Sequence, residues 1–152
     1  MILTTHLLIG AAIAQKFQNP VLGLFLAFLS HYFLDSLVHR DYGIDRIKEA
    51  SWKNSFFDLS KVFLDGSFGI FLILLLSDNI FLALAGGFFA ILPDGLGFLH
   101  LTFPKIRILS LHSLLIQKTH WFKKYGFYKK IPLLWGISTQ ILIAILAIYY
   151  LR

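Results

Sequence analysis

Leu29-Ser30-His31-Tyr32-Phe33-Leu34-Asp35-Ser36-Leu37-Val38-His39-Arg40 sets two histidines and an aspartate at steps of four inside an otherwise apolar run. On a helix, residues four apart lie above one another on one face, so the spacing predicts one polar stripe of His31, Asp35 and His39. Imidazole and carboxylate on one face are the donors of a divalent-metal site. Taken alone, His31 reads equally as a packed core histidine, and His39-Arg40 as the wet end of the helix. Asp35 tips the balance, because an ionisable group at membrane depth is costly and usually functional.

The rest of the chain says that the solvent around this stretch is lipid. Of 152 residues, 57% are hydrophobic and 16 are phenylalanine, the mean hydropathy is +0.73, and only 14% are charged. Soluble domains hold roughly 45–50% apolar residues. Surface of this kind exceeds what one small soluble core can bury, so we expect a single all-α domain, residues 1–152, forming an integral membrane bundle of four or five helices. There is no cysteine. Disulfides, thiolate ligands and a cysteine nucleophile are therefore excluded, and any metal must use histidine, carboxylate or water. The N-terminal run lacks the basic start of a signal peptide and reads as retained. The formal charge of +6 sits in loops beside apolar segments, which points to topology and anionic lipid and not to nucleic acid.

In order, helices are expected over about 3–15, 20–38, 56–76, 80–97 and 132–150. The first is short: about 12 helical residues span about 18 Å against a hydrocarbon core of roughly 30 Å. Asn19-Pro20 is a start signal for the second helix, a capping side chain followed by proline at the first helical position. Ser77-Asp78-Asn79 is a tight reversal in which Asp78 or Asn79 caps the next helix, and Pro93-Asp94-Gly95 is expected to interrupt that helix. Residues 100–130 alternate lysine and arginine with aromatic residues and read as a basic interfacial segment containing an amphipathic helix. The last apolar run carries no acid or histidine and is assigned to anchoring.

Two loops rich in Lys and Arg, 40–53 and 105–130, belong on the cytoplasmic side, and the reversal at 77–79 on the other. His39 and Asp35, then Asp65, Asp94, His112 and His120, all fall near the cytoplasmic level, and His6 joins them if the first helix crosses. Such agreement in depth among distant segments is the strongest sign of a site. Phe63-Leu64-Asp65-Gly66 and Leu92-Pro93-Asp94-Gly95 each place one aspartate near the end of a span with glycine beside it. Carboxylates brought together at low dielectric repel unless a proton or cation joins them. The structural alternatives are an ion pair of Asp65 with Lys61 and simple turn chemistry at Asp94. His120, beside Trp121 and Phe122, reads equally as an interfacial anchor.

Thr5-His6, Ile91-Leu92-Pro93-Asp94 and Leu111-His112-Ser113-Leu114-Leu115 resemble elements of the membrane-bound metal-dependent hydrolases of bacteria and archaea, the LexA-regulated inner-membrane type. The His31-x-x-x-Asp35 spacing is also similar to a helix of zinc-dependent phospholipases C. The second acid that usually follows Leu-Pro-Asp is Gly95-Leu96 here, and no His-Arg-Gly run precedes His112. The resemblance implies an inner-membrane hydrolase. Taken with the agreement in depth, the expected metal ligands are His31, Asp35, His39, Asp65, Asp94 and His120, with His6, Asp94 and His112 serving catalysis. The cofactor expected is zinc, with manganese or iron as the other fitting ions; the substrate class is an anionic lipid or other phosphoester, and membrane lipid is the surrounding partner. The competing readings are a non-enzymatic metal-binding or transport-related membrane protein and a structural subunit.

Overall fold

The computed structural model describes residues 1–37, 39, 52–103, 106 and 133–152, and among them the chain is all helical, with no strand. The helices are α1 (Leu3–Lys16), α2 (Pro20–Ser36), α3 (Trp52–Leu76), α4 (Ile80–Thr102) and α5 (Leu133–Leu151). Local chemistry sets the starts. Asn19 Oδ1 accepts from Val21 N at 3.0 Å and Leu22 N at 3.2 Å, with Pro20 opening α2. Asn79 Oδ1 accepts from Leu82 N at 3.1 Å and does the same for α4. Three helical segments, Ser55–Leu76, Ile80–His100 and Leu134–Leu151, are long and apolar enough to cross a membrane, and Pro20–Ser36 is a shorter apolar helix.

The shortest helix is the central one. Its 14 residues rise about 21 Å, and α1 packs against all four others. Around it, α2 lies beside α4, α4 beside α3 and α3 beside α5. Leu7, Leu8, Ala11 and Ala12 of α1 form the core with Ile73, Ala83, Ala147 and Leu151. Close approach rests on small residues: a Cβ added at Gly10 would collide with the Gly86 carbonyl, and one at Gly86 with Ala14. Gly10 and Ala14 on α1 thus face Gly86 and Ala90 on α4, a pair of small residues one turn apart on each helix, which lets backbones meet where lipid supplies no hydrophobic drive.

Side-chain contacts between helices fix how they are oriented. Gln15 Nε2 donates to the Asn79 carbonyl at 3.0 Å, and Lys16 Nζ sits 5.9 Å from the centre of the Tyr150 ring, so the α1–α2 and α3–α4 turns and the end of α5 share one face. At the opposite end the unpaired N–H groups of α1 find acceptors on other helices. Ile2 N donates to Gln140 Oε1 of α5 at 3.0 Å, and Leu3 N and Thr4 N donate to the two Asp65 carboxylate oxygens of α3 at 2.6 and 3.2 Å. A helix start inside an apolar bundle needs such partners, since no water is at hand.

Several expectations are corrected here. Pro93 does not interrupt its helix: α4 runs through it to Thr102, because one missing hydrogen bond costs less than unwound backbone among apolar neighbours. Asp94 is accordingly a helical residue and not part of a turn. The helix carrying His31 and Asp35 ends at Ser36, where Leu37 N closes on the Leu34 carbonyl at 3.1 Å. His39 therefore lies beyond the helix, off the predicted stripe. The third helix begins at Trp52, earlier than expected, and Lys61 pairs with Asp58 at 3.0 Å. α5 does more than anchor, since Gln140 caps α1. The basic interfacial segment falls almost wholly outside the described residues.

Candidate metal centre

α1 enters the bundle with His6 in its second turn, fully buried. α2 presents His31, also fully buried, and Asp35, one turn on and 4% exposed. α4 brings Asp94, whose side chain is 38% exposed. His6, His31 and Asp94 each offer one ligand atom within 4.8 Å of the others, a group that can hold a metal ion. Asp35 stands against it. Its Oδ1 lies 3.3 Å from His6 Nε2 and its Oδ2 lies 3.4 Å from His31 Nε2. The Met1 amino nitrogen donates to Asp35 Oδ1 at 3.0 Å.

Hydrogen bonding orients the imidazoles. His31 Nδ1 is 3.0 Å from the Ala90 carbonyl, which can only accept, so Nδ1 carries the proton. In neutral His31 the lone pair then falls on Nε2, 3.7 Å from Asp94 Oδ1. This is the outer support usual for a metal-binding histidine, a backbone carbonyl fixing the tautomer while the other nitrogen is presented. The Ala90 carbonyl and Asp94 lie one turn apart on the same face of α4, so a single helix addresses both nitrogens of His31. The two rings, His6 and His31, stack at 4.5 Å between centroids with 25° between planes, and Tyr32 meets His31 edge-on at 5.3 Å.

His6 is the telling residue. Neither of its nitrogens makes a hydrogen bond, although both are buried; the approach of Nε2 to Asp35 is within ion-pair distance but not aligned as a bond. Leaving a buried imidazole unbonded costs about 1–3 kcal/mol. Two carboxylates and two imidazoles converge here; the Met1 ammonium compensates Asp35 on one side, and a divalent ion between His6, His31 and Asp94 would join the rest. Ligand atoms at about 2.0–2.1 Å from a tetrahedral ion stand about 3.3 Å apart; the His31–Asp94 pair, at 3.7 Å, is within a few tenths of an ångström of that, and all three donors lie within 4.8 Å of one another.

The other residues named from the sequence are placed differently. Asp65 is not in the cluster; both its oxygens cap α1, and Thr4 Oγ1 lies 2.6 Å from Oδ1 and 2.7 Å from its carbonyl. Its part is to hold the helix that carries His6. His39 is buried with Nδ1 2.8 Å from the Leu37 carbonyl. His112 and His120 lie outside the described residues. Sequence reasoning did not find the Ala90 carbonyl or Gln140. A backbone acceptor leaves no mark in sequence, but a lone glutamine in an otherwise apolar span is a signal. Comparison of this chain with protein-family models, with curated proteins and with solved structures finds no match in any of the three.

Proposed function

We propose that this chain is a membrane-embedded metal-dependent hydrolase that cleaves a phosphoester, with His6, His31 and Asp94 as ligands of a zinc or similar divalent ion and Asp35 as the base. The observation that carries this reading is the buried His6, without a hydrogen bond at either nitrogen, in a group whose three donors come from three helices. The resemblance supports it independently. Thr5-His6 and Leu92-Pro93-Asp94, which resemble elements of membrane-bound metal-dependent hydrolases, contain two of the donors, and the His31-x-x-x-Asp35 helix contains the third and the base.

Three protein ligands leave one position of a tetrahedral ion for water, which distinguishes catalytic zinc sites from closed structural ones. A divalent ion held by these residues would supply Lewis acidity, acidifying a water and polarising the phosphoryl oxygen. Asp35, beside the ligand nitrogens and held by the Met1 amino group, would take the proton of that water. The water oxygen would then bond to phosphorus as the bond from phosphorus to the alcohol oxygen breaks, and the departing alcohol would take the proton from Asp35. Asp94, the most exposed member, marks the side on which substrate enters.

Below the site α1 continues as Leu7, Leu8, Ala11 and Ala12, all buried against apolar neighbours. A transporter needs polar groups continuing to the far face, and the runs Ile70 to Leu76 and Ile80 to Ala85 supply none. By the distribution of lysine and arginine in the connecting loops, the end of the bundle that holds the site faces the cytoplasm of a prokaryotic inner membrane.

The test is metal content by elemental mass spectrometry on detergent-purified protein, wild type beside His6→Ala and Asp94→Ala. One zinc per chain, lost in both variants, is expected. No metal in wild-type protein prepared without chelator and offered zinc, manganese and iron in turn would refute the reading and leave Asp35 neutralised by protonated imidazole instead.

A further inference from the structure

Among the described helices α4 alone carries a proline in its interior, Pro93, directly before Asp94. Proline has no N–H, so the ladder of α4 lacks the bond from residue 93 to the Phe89 carbonyl, and the ring crowds that same carbonyl. A helix with an interior proline opens on the face of the ring and bends away from it. Pro93 is fully buried, so this face is turned into the bundle and not to lipid.

Two carbonyls lie beneath the ring, that of Phe89 four residues back and that of Ala90 three back. The second is the acceptor of His31 Nδ1, at 3.0 Å. In an unbroken helix each carbonyl points along the axis at the N–H four residues on. For Ala90 that partner is Asp94 N, the first N–H after the proline, so opening the ladder at 93 tilts the Ala90 carbonyl away from the axis as well. In apolar surroundings neighbouring helices satisfy backbone groups freed by proline. Here the neighbour is α2, and its donor is an imidazole of the candidate metal centre. Asp94, just past the opening, sets Oδ1 3.7 Å from His31 Nε2, so the two sides of the proline address the two nitrogens of one ring.

We infer that Pro93 is a positioning residue: by withholding one N–H from α4 it turns the Ala90 carbonyl out to His31 Nδ1, which holds the proton there and presents Nε2 to the ion. The use of Nε2 rests on the metal reading above, whereas the bond from His31 to Ala90 is independent of it. Alanine at 93 restores the N–H, closes the ladder on Phe89 and draws the Ala90 carbonyl back towards Asp94 N. The imidazole proton is then free to move to Nε2, the atom that must be bare to bind metal. The helix itself gains, because proline is the least favourable residue in a helix interior. Helix and site thus respond in opposite directions.

The test compares full-length wild type, Pro93→Ala, and protein in which Pro93 is replaced by lactic acid through nonsense suppression, all in detergent. Lactic acid carries the alanine methyl on an ester, so it has neither ring nor N–H. The tautomer of His31 is read from the imidazole nitrogen chemical shifts of isotope-labelled histidine in metal-free protein, at a pH well above the ordinary histidine value of about 6.5, with His31→Gln to assign its signals. Zinc affinity is measured by competition with a chelator. Wild type and the lactic acid protein should hold the proton on Nδ1. Pro93→Ala should shift it towards Nε2 and bind zinc about 10- to 100-fold more weakly, with thermal unfolding of the metal-free protein no lower than in wild type. The wild-type tautomer in Pro93→Ala, or its loss in the lactic acid protein, overturns the inference whatever the zinc result. No zinc bound by wild type overturns the metal reading alone, and the tautomer comparison still decides the part played by Pro93.

Discussion

Replacing Gly10 by alanine adds one methyl group at the crossing of α1 and α4, one turn from His6 and, through Ala90, one turn from Asp94. The added Cβ would fall 2.5 Å from Ala90 Cβ and collide with the Gly86 carbonyl. Carbon contacts settle at about 3.5–4.0 Å, so the helices must part by about 1 Å. Gly86, Ala90 and Asp94 lie on one stripe of α4, so the displacement is carried to the site. The His31–Ala90 hydrogen bond, 3.0 Å long, would open to about 4 Å and cease to be one, and Asp94 would retreat from His31 by a similar amount. Loss of such an outer partner typically lowers metal affinity 10- to 100-fold, about 1.4–2.7 kcal/mol, and overpacking costs a further 1–3 kcal/mol of stability, roughly. The assay is zinc competition against a chromogenic chelator in detergent. Gly95→Ala is the control, because a Cβ there meets nothing within 4 Å. Wild-type affinity in Gly10→Ala, or an equal loss in Gly95→Ala, would refute the argument that the glycine crossing positions the donors.

Removing the metal should destabilise the fold, because its ligands join three helices: at a free zinc concentration a thousand times the dissociation constant, binding adds about 4 kcal/mol. Thermal unfolding of wild-type protein should therefore shift down on adding chelator, while Asp94→Ala should show no shift, and equal behaviour of the two would count against the site. Asp65→Ala strips acceptors from Leu3 N and Thr4 N and should cost about 2–3 kcal/mol in a detergent unfolding titration. Asp65→Asn, which keeps one acceptor oxygen, should recover part of that, and recovery is not expected if Asp65 acts as a metal ligand.

The helices were legible because their signals are local. Asn19-Pro20 and Asn79 cap as their chemistry requires, and long apolar runs can only be helices in lipid. The agreement in depth of His6, Asp35, Asp65 and Asp94 was legible for a related reason: helices of known rise, alternating in direction, turn sequence position into height. Which of those residues touch is a matter of rotation about each helix axis, and nothing local encodes it. Asp65 shares the level of the cluster yet turns its carboxylate to the start of α1. His39 was assigned by extending a periodicity three residues past the true end of its helix, and Pro93 was overread as a stop because the rule that proline breaks helices is weighted by water that is absent here.

The clamped start of α1 has a consequence for biogenesis. This helix precedes the others in the chain, so it leaves the ribosome before them, yet its N–H groups are received by Asp65 and Gln140, which follow much later. At about 5–20 residues per second, synthesis takes several seconds to bring Gln140 into being after α1 is complete. Too short to span the bilayer by itself and lacking its acceptors, α1 must wait at the insertion machinery or the membrane surface, and its start is fully clamped only when α5 has been delivered. The seating of His6 is in this way tied to the arrival of a helix more than a hundred residues further on.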